Sequence, residues 1–199
     1  VRFEAPVAGE SYIGLEIPNH KPALVSLRDI MEAKSFKLLQ SKSLLPVALG
    51  RGSGGEAMAI DLTDMPHILI AGSTGAGKSV CINALLCCLL LQMSPKDLRL
   101  LLIDPKRVEL APYNDLPHLL SPVIVDPEKA ANLLNGLIRE MQRRYKLLES
   151  KGARNILGYN KKLTESDEKM PYIVTVIDEL ADLMLASSLD VEHALTRLA

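Results

Sequence analysis

The sequence predicts an α/β fold in which a mostly parallel sheet carries helices on both faces. Three observations predict it. From residue 67 the chain alternates an apolar run, a helical run and a second apolar run, the succession that joins parallel strands through crossover helices. A glycine-rich segment, Gly72 to Ser79, lies between the first run and the helix. A later apolar run rich in β-branched residues, Tyr172 to Ile177, ends in two adjacent carboxylates, Asp178 and Glu179.

The chain has 199 residues, enough for one domain with a real core. With 48% hydrophobic and 24% charged residues it has the composition of a globular protein, not of a disordered one. The formal net charge of -1 excludes a global basic field, so any contact with nucleic acid must be local. Cys81, Cys87 and Cys88 fall in one apolar segment without metal-ligand spacing to a histidine, and read as reduced cytoplasmic thiols. The longest apolar run, Val80 to Met93, contains Asn83 and Gln92 and is shorter than the roughly 20 residues a membrane span needs. It predicts a buried helix and no membrane segment in this chain. No charged-then-apolar leader addresses it for secretion.

Taken in order, residues 1–5 and 12–17 alternate in strand fashion, separated by Pro6, Gly9 and Glu10 and stopped by Pro18-Asn19. Leu27, Ile30, Met31 and Leu38 predict one amphipathic helix running to Leu39, with Ser26 as its N-cap. Leu45 to Leu49 and Glu56 to Leu62 predict a β-hairpin around Gly50-Arg51-Gly52-Ser53-Gly54-Gly55. His67 to Ala71 is the strand before the glycine-rich loop, Lys78 to Gln92 the helix after it, and Leu98 to Ile103 the next strand. Asp126-Pro127-Glu128 opens the best-delimited helix, with an N-cap, a proline at the first helical position and an acid in the first turn. Ala130, Leu133, Leu134, Leu137, Ile138, Met141, Tyr145 and Leu148 make its apolar stripe, and Gly152 stops it. Lys161 to Lys169 is unpatterned and reads as a surface loop.

Gly72-Ser73-Thr74-Gly75-Ala76-Gly77-Lys78-Ser79 matches the phosphate-loop pattern in the required setting, between a strand and a helix. Glycines let the backbone wrap a phosphate so that successive N–H groups and the helix N-terminus point at the anion. Lys78 is placed to reach the β and γ phosphates of ATP, and the Ser79 hydroxyl to ligate Mg²⁺. Asp178 and Glu179 stand at the carboxyl end of a buried strand, the edge where ligands of open α/β sheets bind. Asp178 is expected to hold Mg²⁺, directly or through water, and Glu179 to orient and deprotonate the attacking water. Lys78 and Glu179 are therefore the expected catalytic residues.

The flanking residues carry a more specific resemblance. Met65-Pro66-His67-Ile68-Leu69-Ile70-Ala71-Gly72, Ile103-Asp104-Pro105-Lys106, Pro117-His118-Leu119-Leu120, Glu140-Met141-Gln142-Arg143-Arg144-Tyr145, Arg154-Asn155-Ile156, Gly158-Tyr159-Asn160 and Pro171-Tyr172-Ile173-Val174 running into Asp178-Glu179-Leu180-Ala181-Asp182-Leu183 together resemble the FtsK and SpoIIIE family of DNA translocases. The resemblance runs nearly end to end, and Tyr12 to Asn19 looks like the segment that enters the motor in that family. It implies a RecA-like P-loop core over residues 44–199, preceded in 1–43 by the end of another domain and a linker. It also implies a homo-hexameric ring, double-stranded DNA in the central channel, ATP between subunits, and chromosome movement at division or sporulation septa. This region is then cytoplasmic, in a full-length protein anchored in the bacterial inner membrane. The family pattern further places a sensor strand between the phosphate-loop strand and the acidic strand, and an arginine donated across the subunit interface. With Ala199 about twenty residues past Glu179, both are expected beyond it, so the core is expected to be incomplete at the carboxyl end.

Other residues have plainer readings. Asp104-Pro105-Lys106-Arg107 either places a charge near the nucleotide or the neighbouring subunit, or is only a proline-containing turn after a strand. Arg139, Arg143, Arg144, Lys146, Lys151, Arg154, Lys161 and Lys162 either face DNA or form a solvated face diluted by Glu140, Glu149 and Glu165. His20, His67, His118 and His193 are dispersed without metal spacing. Two further functions stay open: a related ring ATPase that powers protein secretion, and a nucleotide-binding piece without turnover.

Overall fold

The computed structural model describes residues 2–4, 13–17, 23–73, 75–164 and 167–199. The expected turns at Pro6 to Glu10 and at Pro18-Asn19, together with Tyr12, His20, Thr74 and Glu165, lie outside the described residues. The chain divides into two compact units. One takes in the described residues up to Ala71 with Asn83–Leu89, the other Gly72–Ile82 with Leu90–Ala199.

In the first unit, β1 (Arg2–Glu4) pairs antiparallel with β2 (Gly14–Glu16), as the alternation predicts. The single helix expected from Leu27 to Leu39 is instead two, α1 (Leu27–Glu32) and α2 (Lys34–Gln40). Ala33 has extended torsions, φ -63° and ψ 146°, and so breaks the helical path. The break turns Phe36 into the core although the apolar spacing had omitted it; Ile30 and Phe36 are the buried anchors of the pair. Ser26 caps α1 as expected, its hydroxyl accepting from Asp29 N at 3.1 Å.

The hairpin forms from β3 (Pro46–Arg51) and β4 (Ala57–Asp61). Its register slips between Ala48 and Gly50, where Gly50 takes φ 143°, a value open to glycine and costly for other residues. Asp61 ties off the base, accepting from Leu44 N and Leu45 N at 3.2 Å each and from Thr63 N at 3.0 Å.

The strand expected over His67 to Ala71 does not form. Those residues join no ladder among the described residues, and Ile68 and Leu69 are 44% and 81% exposed. Apolar composition supplies propensity, but a strand is held by the hydrogen bonds of a neighbour, and no described neighbour supplies them here.

In the second unit, β5 (Leu98–Ile103) is the central strand. It runs parallel to β6 (Tyr172–Ile177), with Leu98 opposite Tyr172 and Ile103 opposite Ile177. On its other edge it bridges Leu119 and Ile124, through Leu120 N to Leu100 O and Ile124 N to Leu102 O, both 2.9 Å. Four residues in a row, Leu100 to Ile103, are buried without alternation, so both faces of the strand are covered.

Two long helices pack with this sheet. α4 (Pro127–Ser150) starts where predicted, with Asp126 Oδ1 accepting from Glu128 N at 2.9 Å and Lys129 N at 3.1 Å. Its stripe is buried at Ala130, Leu134 and Ile138, with Leu133 and Leu137 partly covered. Tyr145 departs from the expected stripe and is 61% exposed: it lies on the same helical face as Leu134 and Ile138, but no residue of α4 beyond Ile138 is buried, so the cover of that face ends before the last turns. α6 (Leu180–Leu198) adds Leu183, Val191 and Ala194 to the same core as Leu101, Ile103 and Ile124. A short α5 (Ile156–Asn160) begins at Asn155, whose side chain accepts from Gly158 N at 2.8 Å.

The basic stretch is largely engaged within the chain. Arg143 and Arg144 converge on Glu140 at 2.6 and 2.7 Å, holding its carboxyl at a pKa of about 2, and Arg144 also donates to Pro171 O at 2.7 Å. Lys151 pairs with Asp167 at 3.0 Å, and Lys162 donates to the carbonyls of Lys151 and Gly152 near the end of α4. These cations tie the start of β6 and the loop before it to α4.

Candidate nucleotide-binding site

The loop and the acids meet within the second unit. α3 (Lys78–Leu90) begins at the lysine of the phosphate-loop pattern, its first helical bond running from Cys81 N to Gly77 O at 2.9 Å. Gly75 and Gly77 have φ of 81° and 98°, left-handed values that a side chain would strain. A Cβ on Gly77 would meet nothing within 4 Å, so the glycine is required by its torsion and not by crowding. The described loop residues are exposed up to Gly77, while Lys78 and Ser79 are half-buried. An exposed loop at the positive end of a thirteen-residue helix is the setting that favours an anion.

The acids arrive from β6. Because Ile103 lies opposite Ile177 in a parallel ladder, Asp104 and Asp178 leave the sheet at the same level, and Asp178 N extends the ladder to Ile103 O at 3.0 Å. Asp178 is buried and Glu179, at the cap of α6, is half-buried. Lys78 crosses to both. Its Nζ donates to Asp178 O at 2.6 Å and stands 3.4 Å from Asp178 Oδ1 and 3.5 Å from Glu179 Oε2.

The two carboxylates are driven apart electrostatically. Burial pushes the Asp178 carboxyl above its ordinary value, against the opposing pull of Lys78, and the charges of Asp104 and Glu109 push the same way. Glu179 is held below its ordinary value, first by Lys106 and then by Lys78. Burial thus disfavours the charged form of Asp178, while two lysines favour the charged form of Glu179.

Lys106 is the residue whose part the motif reading left open. It sits 3.2 Å from Glu179 Oε2 and 3.5 Å from Asp182 Oδ2, beside the acidic pair. Asp182 went unremarked as a site residue. The signal was its spacing of three from Glu179 on a helix that the sequence reading did not mark out. Asp104 is fully buried, and its Oδ2 accepts from Leu110 N at 3.0 Å.

Nothing in the donor set opposes Mg²⁺. Ser79 and Asp178 offer only oxygen, and Asp178 Oδ1 is a buried acceptor with no hydrogen bond. A magnesium ion held with a nucleotide takes one or two protein oxygens, the rest coming from phosphate and water. His118 is buried, with Nε2 2.9 Å from Met93 O. No cysteine is in a disulfide. Among the described residues no helix is long and apolar enough to cross a membrane.

Residues 26–199 match the model of the FtsK/SpoIIIE family. Over its whole length the chain is 47% identical to the DNA translocase FtsK of Sporosarcina ureae and 51% identical to that of Clostridium acetobutylicum, spanning 26% of each. It is 45% identical to the DNA translocase SpoIIIE of Bacillus subtilis, again over 26% of that protein. The chain therefore spans about a quarter of the length of these relatives. Among solved structures, the pCW3 conjugation coupling protein TcpA with ATPγS is similar at 34% identity and a TM-score of 0.59, over 79% of this chain and 42% of that one. The cytoplasmic domain of the type VII secretion ATPase EccC of Thermomonospora curvata is similar at 27% identity and a TM-score of 0.62, over 74% and 19%. The fold is that of P-loop ATPase motors.

Proposed function

The chain belongs to the FtsK/SpoIIIE family, and on that footing we propose that it is the ATP-hydrolysing part of a motor that moves double-stranded DNA. The observation that carries this is the meeting of Lys78 with Asp178 and Glu179, within 3.5 Å, across 100 residues of sequence. Residues 44–199 form the RecA-like core and 1–43 lead into it. The motor works as a homo-hexameric ring, moves chromosomal DNA at division or sporulation, and is anchored in the bacterial inner membrane with this region on the cytoplasmic side.

The chemistry follows from the residues. The β and γ phosphates of ATP bind the N–H groups of Gly72 to Ser79 and draw Lys78 off Asp178 O. Ser79 and Asp178 would hold Mg²⁺, which when bound would neutralise charge developing on the transferred phosphoryl group. Glu179, already ionised, takes a proton from the attacking water.

The likeness to a secretion ATPase supports a second reading, transport of protein by the same ATP chemistry. The DNA reading is preferred because the named DNA translocases are 45–51% identical, against 27% for EccC. ATP turnover by the full-length protein is expected to rise several-fold on adding linear duplex DNA. Turnover indifferent to duplex DNA would favour the protein-transport reading, and nucleotide binding with no turnover would leave a binding module alone.

A further inference from the structure

The turn after β5 is built to hold one side chain in place. Asp104 is fully buried, its Oδ2 accepts from Leu110 N at 3.0 Å, and its carbonyl accepts from Arg107 N at 3.2 Å. Arg107 closes the turn at φ 59°, a left-handed value costly for a residue other than glycine. Between these fixed points stands Lys106, whose Nζ lies between two carboxylates of one helical turn, Glu179 at 3.2 Å and Asp182 at 3.5 Å.

Glu179 has two cations, and both meet the same oxygen. Lys78 and Lys106 each approach Oε2, leaving Oε1 as the oxygen for a water. Lys78 cannot be a permanent holder, since the phosphates that it binds draw it away. Without Lys106, Glu179 would then face Asp182 and whatever negative charge of the nucleotide Mg²⁺ leaves unneutralised, both of which repel it outward. The only other ion pair that Glu179 makes among the described residues is the one with Lys106.

We propose that Lys106 is the positioning residue of the water-activating glutamate, holding Glu179 by Oε2 against Asp182 so that Oε1 stays on the water after Lys78 moves to phosphate. This rests on the reading of Glu179 as the base of an ATP-hydrolysing site. The pair is not a structural necessity: the side chain of Lys106 is 51% exposed and that of Glu179 30% exposed, and such ion pairs contribute little to folding. Its effect is on the geometry of catalysis.

The test compares Lys106→Met, Lys106→Arg, Glu179→Gln and the Met/Gln double variant in the full-length protein. Steady-state kcat and KM for ATP are measured together with the affinity for a fluorescent ATP analogue. Lys106→Met is expected to lower kcat by about 10- to 100-fold, the scale of a misplaced catalytic group, with KM and affinity within about twofold of wild type. Lys106→Arg restores most of the rate. Because the lysine acts through Glu179, the double variant in single turnover is no slower than Glu179→Gln alone. A wild-type rate for Lys106→Met overturns the assignment, as does a further loss in the double variant or a parallel fall in ATP affinity, which would mark a phosphate contact. Each of these leaves the ATPase reading standing. Failure of the wild-type protein to bind or hydrolyse ATP overturns both.

Discussion

Lys78→Ala is expected to lower ATP turnover by roughly 10² to 10³-fold, the cost of removing one preorganised donor from a developing oxyanion. The lysine has two tasks. With nucleotide bound it supplies a charge-assisted contact to the β and γ phosphates. Without nucleotide it is the cation that faces both acids, donating to Asp178 O at 2.6 Å and standing within 3.5 Å of both carboxylates. Alanine therefore removes the phosphate contact and leaves Asp178, already raised by burial, without its counter-charge. Lys78→Arg is not expected to rescue, because a planar fork does not fit a point-charge position beside a tight loop. Steady-state turnover and ATP affinity in the full-length protein check this. Near-normal turnover would show that the loop does not serve phosphate.

Glu179→Gln and Asp178→Ala are expected to fail in different ways. Glutamine keeps the size of Glu179 but cannot accept the proton, so the variant should bind MgATP normally and stall, with hydrolysis down about 10² to 10⁴-fold. It should accumulate unhydrolysed ATP on the protein. Asp178→Ala removes a buried carboxylate oxygen that accepts no hydrogen bond, the donor best suited to the metal, and should lose the Mg²⁺ dependence of ATP affinity. A filter assay for bound ATP with and without EDTA separates the two. Equal weakening of binding by both, with neither trapping ATP, would contradict the division of labour.

The phosphate loop was legible because its chemistry is local: eight consecutive residues state both the torsions and the charge. The acidic pair was legible because an apolar β-branched run ends abruptly in two carboxylates. Lys106 was readable only as an alternative, since its partner is 73 residues away and depends on the register of β5 with β6. The hairpin and the start of α4 could be read from turn and cap residues, which act within a few positions. The broken helix at Ala33 could not, because nothing in the local letters forbids a continuous helix and the burial of Phe36 is a tertiary demand. The run from His67 to Ala71 shows the reverse case, strand letters with no strand partner. The basic stretch was open to two readings; Arg143, Arg144, Lys151 and Lys162 bond to carboxylates and carbonyls that a charge count cannot see.

The most direct measurement of the central claim is displacement of a triplex-forming oligonucleotide from linear duplex DNA by the full-length protein. ATP-dependent displacement, slower as the triplex is moved farther from the loading site and absent with Glu179→Gln, is the predicted result. Active ATP hydrolysis with no displacement and no response to duplex DNA would contradict it.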